Sequence, residues 1–167
     1  QFLLKGATKD SGVICLINRF LGKNKGYMPF GEEFNFRDCP KTLDKKIDLC
    51  KKHIKKEDMP LIIGVGDTVT SQRVFKDNEY SRGGSDRSFL EFIQTLGKEY
   101  NIENKIIFVD SSSGEVFRPS TKITGLEGIS DEQDILKFDM IFQNGSKEYN
   151  NWFIKIAEKR FQIKNKN

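Results

Sequence analysis

Only one histidine, His53, and three cysteines, Cys15, Cys39 and Cys50, occur in the 167 residues. A single histidine leaves Ser/His/Asp catalysis poorly supported, and without C-x-x-C spacing zinc chemistry has little to build on. An odd cysteine count fits a reducing cytoplasm better than a disulfide framework. Cys15 and Cys50 fall on apolar faces of expected helices and read as small buried hydrophobes. Long hydrophobic runs are missing too. The longest, such as Leu61-Ile62-Ile63, are strand-sized, far short of the roughly 18 apolar residues that span a bilayer, and no secretory leader pattern is visible. Neither sign of charge dominates: 28 basic and 24 acidic residues give a net charge of +4. Much of that excess sits in Lys51-Lys52-His53-Ile54-Lys55-Lys56 and in the tail Lys164-Asn165-Lys166-Asn167. A solvated helix face and a frayed tail account for it, and no basic face interleaved with aromatics points to nucleic acid. The chain opens on Gln1-Phe2-Leu3-Leu4 without a methionine, which reads as a fragment whose N-terminus lies upstream.

What is present is a soluble, globular pattern of the size of one domain. Phe2-Leu3-Leu4 could end a strand. Val13, Leu16, Ile17, Phe20 and Leu21 recur at helical spacing, predicting a helix over Ser11–Leu21 with Thr8 or Asp10 as cap and Gly22 as stop. Lys23–Pro40 is aromatic and turn-rich, too long for a plain connection, and reads as an irregular insertion. A helix is expected over about Thr42–Lys55. Pro60 then opens Leu61–Gly66, an apolar run expected to be a strand buried on both faces of a parallel sheet. A helix over about Ser85–Glu99, a buried strand Lys105–Val109, a loop-rich stretch Ser111–Glu132, an edge strand Phe138–Phe142 and a helix over about Lys147–Arg160 presenting Trp152, Phe153 and Ile156 complete the order. The sum is an α/β layered domain with a mostly parallel sheet flanked by helices.

In an open parallel sheet, ligands bind beyond the carboxyl ends of the strands. Two expected strands end there in aspartate, Asp67 and Asp110. A carboxylate suits Mg²⁺, which takes hard oxygen ligands, while Gly64 and Gly66 leave room for close approach. Gly66-Asp67-Thr68 fits a turn capping the next element equally well. Lys9 stands just before a helix start, where a lysine and helix amides can meet an anion together; a solvent-exposed lysine is the plainer alternative. In Arg82-Gly83-Gly84-Ser85-Asp86-Arg87, two glycines at a helix start could form an anion- or sugar-binding loop with Arg82 and Arg87 as phosphate forks. A flexible loop with a Ser85 cap fits as well. Asp110-Ser111-Ser112-Ser113-Gly114-Glu115 carries the same ambiguity.

Lys9 ahead of an amphipathic helix, followed by a buried strand ending in Gly66-Asp67, resembles the third and fourth motifs of haloacid-dehalogenase-type phosphatases. The wording Gly64-Val65-Gly66-Asp67-Thr68-Val69-Thr70-Ser71, Arg82-Gly83-Gly84-Ser85-Asp86-Arg87-Ser88-Phe89 and Val109-Asp110-Ser111-Ser112-Ser113-Gly114-Glu115-Val116 is similar to one subgroup, the glucosylglycerol 3-phosphate phosphatases of cyanobacterial osmolyte synthesis and salt tolerance. The resemblance implies the C-terminal part of a Rossmann-like core and hydrolysis of a sugar-type phosphomonoester through an aspartyl-phosphate, with Mg²⁺ and lysine neutralising charge. It implies Asp67 as metal ligand and Lys9 as the contact to nucleophile and phosphate. The family's second acidic residue is replaced by Ser71, so either Ser71, Asp86 or Asp77 completes the metal site or one carboxylate suffices. Substrate contacts fall to Arg82, Gly83, Gly84, Ser85 and Arg87, with Asp110 and Ser111 beside them. Lys9 and Asp67 stand 58 positions apart, a separation that the Lys23–Pro40 insertion accounts for. No Asp-x-Asp occurs in the sequence, so nucleophile and cap are expected upstream and the isolated piece is expected to be inactive. Another sugar phosphate, such as sucrose- or trehalose-phosphate, and a non-catalytic phosphate-binding module are the competing expectations.

Overall fold

The computed structural model describes residues 7–74, 79–111 and 128–164. In chain order these form α1 (Lys9–Lys25), α2 (Leu43–His53), a 3₁₀ turn (Lys56–Asp58), β1 (Ile63–Gly66), β2 (Thr70–Val74), β3 (Glu79–Gly83), α3 (Arg87–Tyr100), β4 (Lys105–Val109), β5 (Met140–Phe142) and α4 (Gly145–Lys164). Strands β1, β4 and β5 make a parallel sheet in the order β1-β4-β5, while β2 and β3 pair antiparallel as a separate ribbon. This is the expected α/β class with a parallel sheet flanked by helices. No helix among the described residues is long and apolar enough to cross a membrane. Phe2-Leu3-Leu4 and Asp77 lie outside the described residues.

The central strand β4 is buried on both faces. Ile106 and Phe108 pack with Leu90 and Ile93 of α3, while Ile107 and Val109 pack with Phe142 and, on α4, Tyr149 and Trp152. The alternation follows from the two-residue period of a strand. A helix layer, with Ile14, Ile17 and Leu21 of α1, Ile47 and Cys50 of α2, and Phe92 and Leu96 of α3, forms the other large core. Burying each such aliphatic side chain contributes about 1.5–3 kcal/mol.

Several expectations are corrected. β1 is not buried on both faces: Gly64 and Gly66 face inward, whereas Ile63 is 57% exposed. The strand lies at one side of the described sheet, and α3 covers only its glycine face. The space at those glycines is taken by α3 rather than by a ligand. A Cβ on Gly66 would stand 2.9 Å from Asp86 Cβ and 2.9 Å from Leu90 Cδ1. Gly22 does not stop α1, which runs to Lys25 and ends on Gly26 at φ 78°; Met28 folds back over Gly22 instead. The irregular stretch therefore starts later than expected. It is pinned to α1 by Asn18, whose Nδ2 donates to Gly31 O at 2.8 Å and whose Oδ1 accepts from Phe30 N at 3.0 Å. The β2–β3 ribbon, Thr70–Val74 and Glu79–Gly83, has no counterpart among the expected elements. Phe153 of α4 is exposed rather than presented to the core.

Candidate functional site

β1 and β4 run in register, with Gly66 opposite Phe108, so the loops that follow them leave the same edge of the sheet. Asp67 follows β1 directly, and Ser111 Oγ reaches across to donate to its carbonyl at 3.2 Å. Asp110 extends the ladder on the other side, its amide donating to Phe142 O at 2.9 Å. The N-terminus of α1 is brought to this edge by its packing on α3. Lys9, Val65, Gly66, Asp67, Asp86, Phe89 and Val109 line one shallow cavity of about 380 Å³.

Asp86 organises the cavity floor. Its side chain is almost wholly buried, and one carboxylate oxygen accepts from Lys9 Nζ. The other accepts from Asp67 N at 2.8 Å and Thr68 N at 3.0 Å. Burial works to raise the Asp86 carboxyl, but the hydrogen bonds from Lys9 and from the Thr68 and Asp67 amides outweigh it and hold the pKa below its ordinary value. The carboxylate thus stays ionised and fixes both the strand-end turn and the lysine. Lys9 remains half exposed, its ammonium 5.7 Å from the Phe89 ring centroid. The Asp67 carboxylate accepts from Thr68 Oγ1 at 2.9 Å. Beside Lys9, Asp10 and Lys46 form a buried ion pair at 2.5 Å. Burial raises the Asp10 carboxyl, and Lys46, Thr8 and the Ser11 amide more than compensate.

The Arg82–Arg87 segment is built differently from a phosphate-binding loop. Arg82 makes a two-pronged contact to Asp131, Nε at 2.8 Å and a terminal nitrogen at 2.7 Å. Arg87 does the same to Asp134 at 2.9 and 2.8 Å, while also reaching Glu91, Thr70 O and Gly83 O. The forks therefore clasp the β2–β3 ribbon and α3 to residues 128–136. Ser71 belongs to the same cluster, its hydroxyl donating to Asp131 and its amide to Gly128 O. This hydroxyl is engaged away from the strand-end cavity and does not stand in for a second metal carboxylate there. Gly83 lies in β3 opposite Thr70. Gly84 sits at φ 103°, where a Cβ would fall 2.1 Å from Thr68 O, so the second glycine of the pattern answers to backbone crowding, while a Cβ on Gly83 would meet only the Thr70 hydroxyl at 3.3 Å. Ser85 is exposed, and the residue at the helix N-cap is Asp86.

Helical spacing places Phe89 on the inward face of α3, where it lines the cavity; sequence reasoning missed Asp131 and Asp134. The two aspartates gave no signal, because their partners are more than 40 positions away.

For a divalent ion, the described donors offer hard oxygen at Asp67. Asp86 has both oxygens committed to Lys9 and two amides, and no cluster of three or more His, Cys, Asp or Glu suited to a metal occurs among the described residues. Mg²⁺ is held by one or two carboxylates and keeps several waters, and among the described residues Asp67 is the one that would hold it.

A parallel sheet flanked by helices, with a carboxylate and a helix-borne lysine at the carboxyl edge of its strands, defines a Rossmann-like α/β domain. The chain belongs to the glucosylglycerol-phosphate phosphatase (Salt_tol_Pase) family, whose model matches residues 1–157. It is 38% identical over 171 aligned positions to a glucosylglycerol-phosphate phosphatase of Synechocystis sp. (strain ATCC 27184 / PCC 6803 / Kazusa). That match takes in 96% of this chain and 40% of the relative, so the chain spans well under half the length of the curated protein it matches. No solved structure matches.

Proposed function

We propose that this chain forms part of a Mg²⁺-dependent phosphatase that hydrolyses glucosylglycerol 3-phosphate to glucosylglycerol and phosphate. The observation that carries the reading is the convergence of Lys9, Asp67 and Asp86 on one strand-end cavity in a chain of this family. Lys9 supplies a positive charge for a phosphoryl oxygen, and its ion pair with Asp86 sets where that charge sits. Asp67 would hold Mg²⁺, directly or through water, and the ion would offset charge developing on the phosphoryl group. Asp86 acts by orienting Lys9 and the 67–68 amides rather than as a ligand. The attacking aspartate is taken to come from sequence outside these 167 residues, since no Asp-x-Asp occurs within them.

The test is phosphate release by the intact protein from glucosylglycerol 3-phosphate, sucrose phosphate and trehalose phosphate, with Mg²⁺ and with chelator. The expected result is preference for the first substrate, loss of turnover with chelator, and loss in Asp67→Asn. Preference for another sugar phosphate would replace the substrate and keep the class. Full activity in Asp67→Asn would remove Asp67 from the metal site, and binding without any phosphate release would favour a non-catalytic module.

A further inference from the structure

Lys46 of α2 is only 3% exposed, and its ammonium lies 2.5 Å from Oδ2 of the buried Asp10. The chemistry proposed above makes no use of this pair, and neither residue lines the strand-end cavity. Taking two such charges out of water largely offsets their attraction, so a buried pair is better suited to fixing one arrangement of elements than to adding stability. The element fixed here is the first turn of α1. Successive helical residues point about 100° apart, and the neighbours Lys9 and Asp10 accordingly reach different partners. Lys9 reaches Asp86 at the N-cap of α3, whereas Asp10 turns inward to α2. The α1 N-cap, Thr8, makes no side-chain capping bond. Asp10 closes the turn instead, Oδ1 accepting from the Ser11 amide at 3.0 Å while Oδ2 holds Lys46. The apolar anchors of α1 begin only at Val13 and Ile14, a turn beyond Lys9, so polar contacts hold the turn that carries the cavity lysine.

We propose that Lys46 is a positioning residue for phosphate release: through Asp10 it fixes the turn from which Lys9 meets the phosphoryl group. The proposal rests on the phosphatase reading of the cavity. Lys46 is too deeply buried to touch substrate, and its influence passes through Asp10 to Lys9, one peptide bond away. A misplacement of about 1 Å in a positioned group can cost on the order of 10²-fold in rate, so loss of the tie is read in turnover as well as in stability.

The experiment compares the intact wild-type protein with Lys46→Met, Asp10→Asn/Lys46→Met and Ile47→Ala, the last a core control from the same helix. Three quantities are read: phosphate release from glucosylglycerol 3-phosphate, thermal melting, and acetylation of Lys9 by limiting acetic anhydride relative to the exposed Lys159. Lys46→Met should melt lower, lose about 10-fold or more in kcat, and show faster Lys9 acetylation as the hold on Asp86 loosens. The double variant no longer strands a buried carboxylate, so its melting should return toward wild type while kcat stays low and Lys9 stays reactive. Ile47→Ala should melt lower and keep its turnover. In a Lys9→Ala background, Lys46→Met should lower kcat no further. Wild-type turnover in the double variant would overturn the proposal. So would an equal fall in kcat with and without Lys9, or an Ile47→Ala variant as slow as Lys46→Met. If the wild type releases no phosphate from any sugar phosphate, the phosphatase reading fails, and the acetylation rates decide whether Lys46 places Lys9: unchanged labelling means that it does not. Should Lys46→Met not fold, the double variant decides by the same readings.

Discussion

Lys9 and Asp86, 77 positions apart in the chain, form an ion pair at the carboxyl edge of the parallel sheet, and the same aspartate holds the amides of Asp67 and Thr68. One buried carboxylate thus sets the position of the cavity lysine and the shape of the strand-end turn. Asp86→Ala leaves two amides and an ammonium without their acceptor, and a loss of about 2 kcal/mol or more is expected. Asp86→Asn keeps an amide acceptor and should lose less, while releasing Lys9 and lowering phosphate release by the intact protein on the order of 10²-fold. Urea midpoints and turnover check the pair. An Asp86→Ala protein as stable as wild type would refute the assigned role.

The two arginines should separate cleanly by stability. Arg87 is the burial partner of Asp134, whose side chain is fully buried. Arg87→Ala should cost about 3–5 kcal/mol, because it leaves a buried carboxylate uncompensated. Arg82 is more exposed, and Arg82→Ala should cost clearly less. Thermal melts of both variants measure this. Unchanged melting in Arg87→Ala, with only a raised KM for the sugar phosphate, would return Arg87 to a phosphate-binding role.

Gly84 admits no side chain. Its φ of 103° and the 2.1 Å that would separate an added Cβ from Thr68 O act together. Gly84→Ala should destabilise by roughly 3 kcal/mol or more through backbone strain and displacement of the 67–69 turn. A circular-dichroism melt within a degree of wild type would contradict this.

Acid should unfold the domain through its paired carboxylates. Asp10, Asp86 and Asp134 all titrate below their ordinary values, each because hydrogen-bonded or cationic partners outweigh the opposing effect of burial. Asp131 is held down first by its hydrogen bond to Arg82. A carboxyl with a depressed folded pKa binds protons more weakly folded than unfolded, so its contribution is complete above the unfolded value of about 3.9. It is lost as pH falls below about 4 through the folded values. Urea midpoints should be flat with respect to these groups from pH 5 to 7 and drop steeply below pH 4. The drop should be shallower in Arg87→Ala, where Asp134 has lost the cation that favours its charge. A midpoint that rises on acidification would contradict the sign.

The element order was legible because hydrophobic period is a local property. β4 matched its expected bounds, and α2 and α3 lay within two residues of theirs. The β2–β3 ribbon escaped notice because Thr70–Val74 and Glu79–Gly83 are polar and mostly exposed, so no alternation marks them. The exposure of Ile63 and Phe153 was likewise hidden, since an apolar residue states a preference for burial and not whether a partner exists to provide it.

By itself the sequence determined the α/β class, the strand ending in Gly66-Asp67 and the presence of the first helix, expected from Ser11 and found to start at Lys9. Each follows from spacing and turn chemistry within a few residues. Only the tertiary structure decided that Asp86 joins Lys9 to the Asp67 turn, that Arg82 and Arg87 are spent on Asp131 and Asp134, and that Ser71 follows Arg82. Those contacts link residues 18 to 77 positions apart. A charge names no partner until packing removes water from around it.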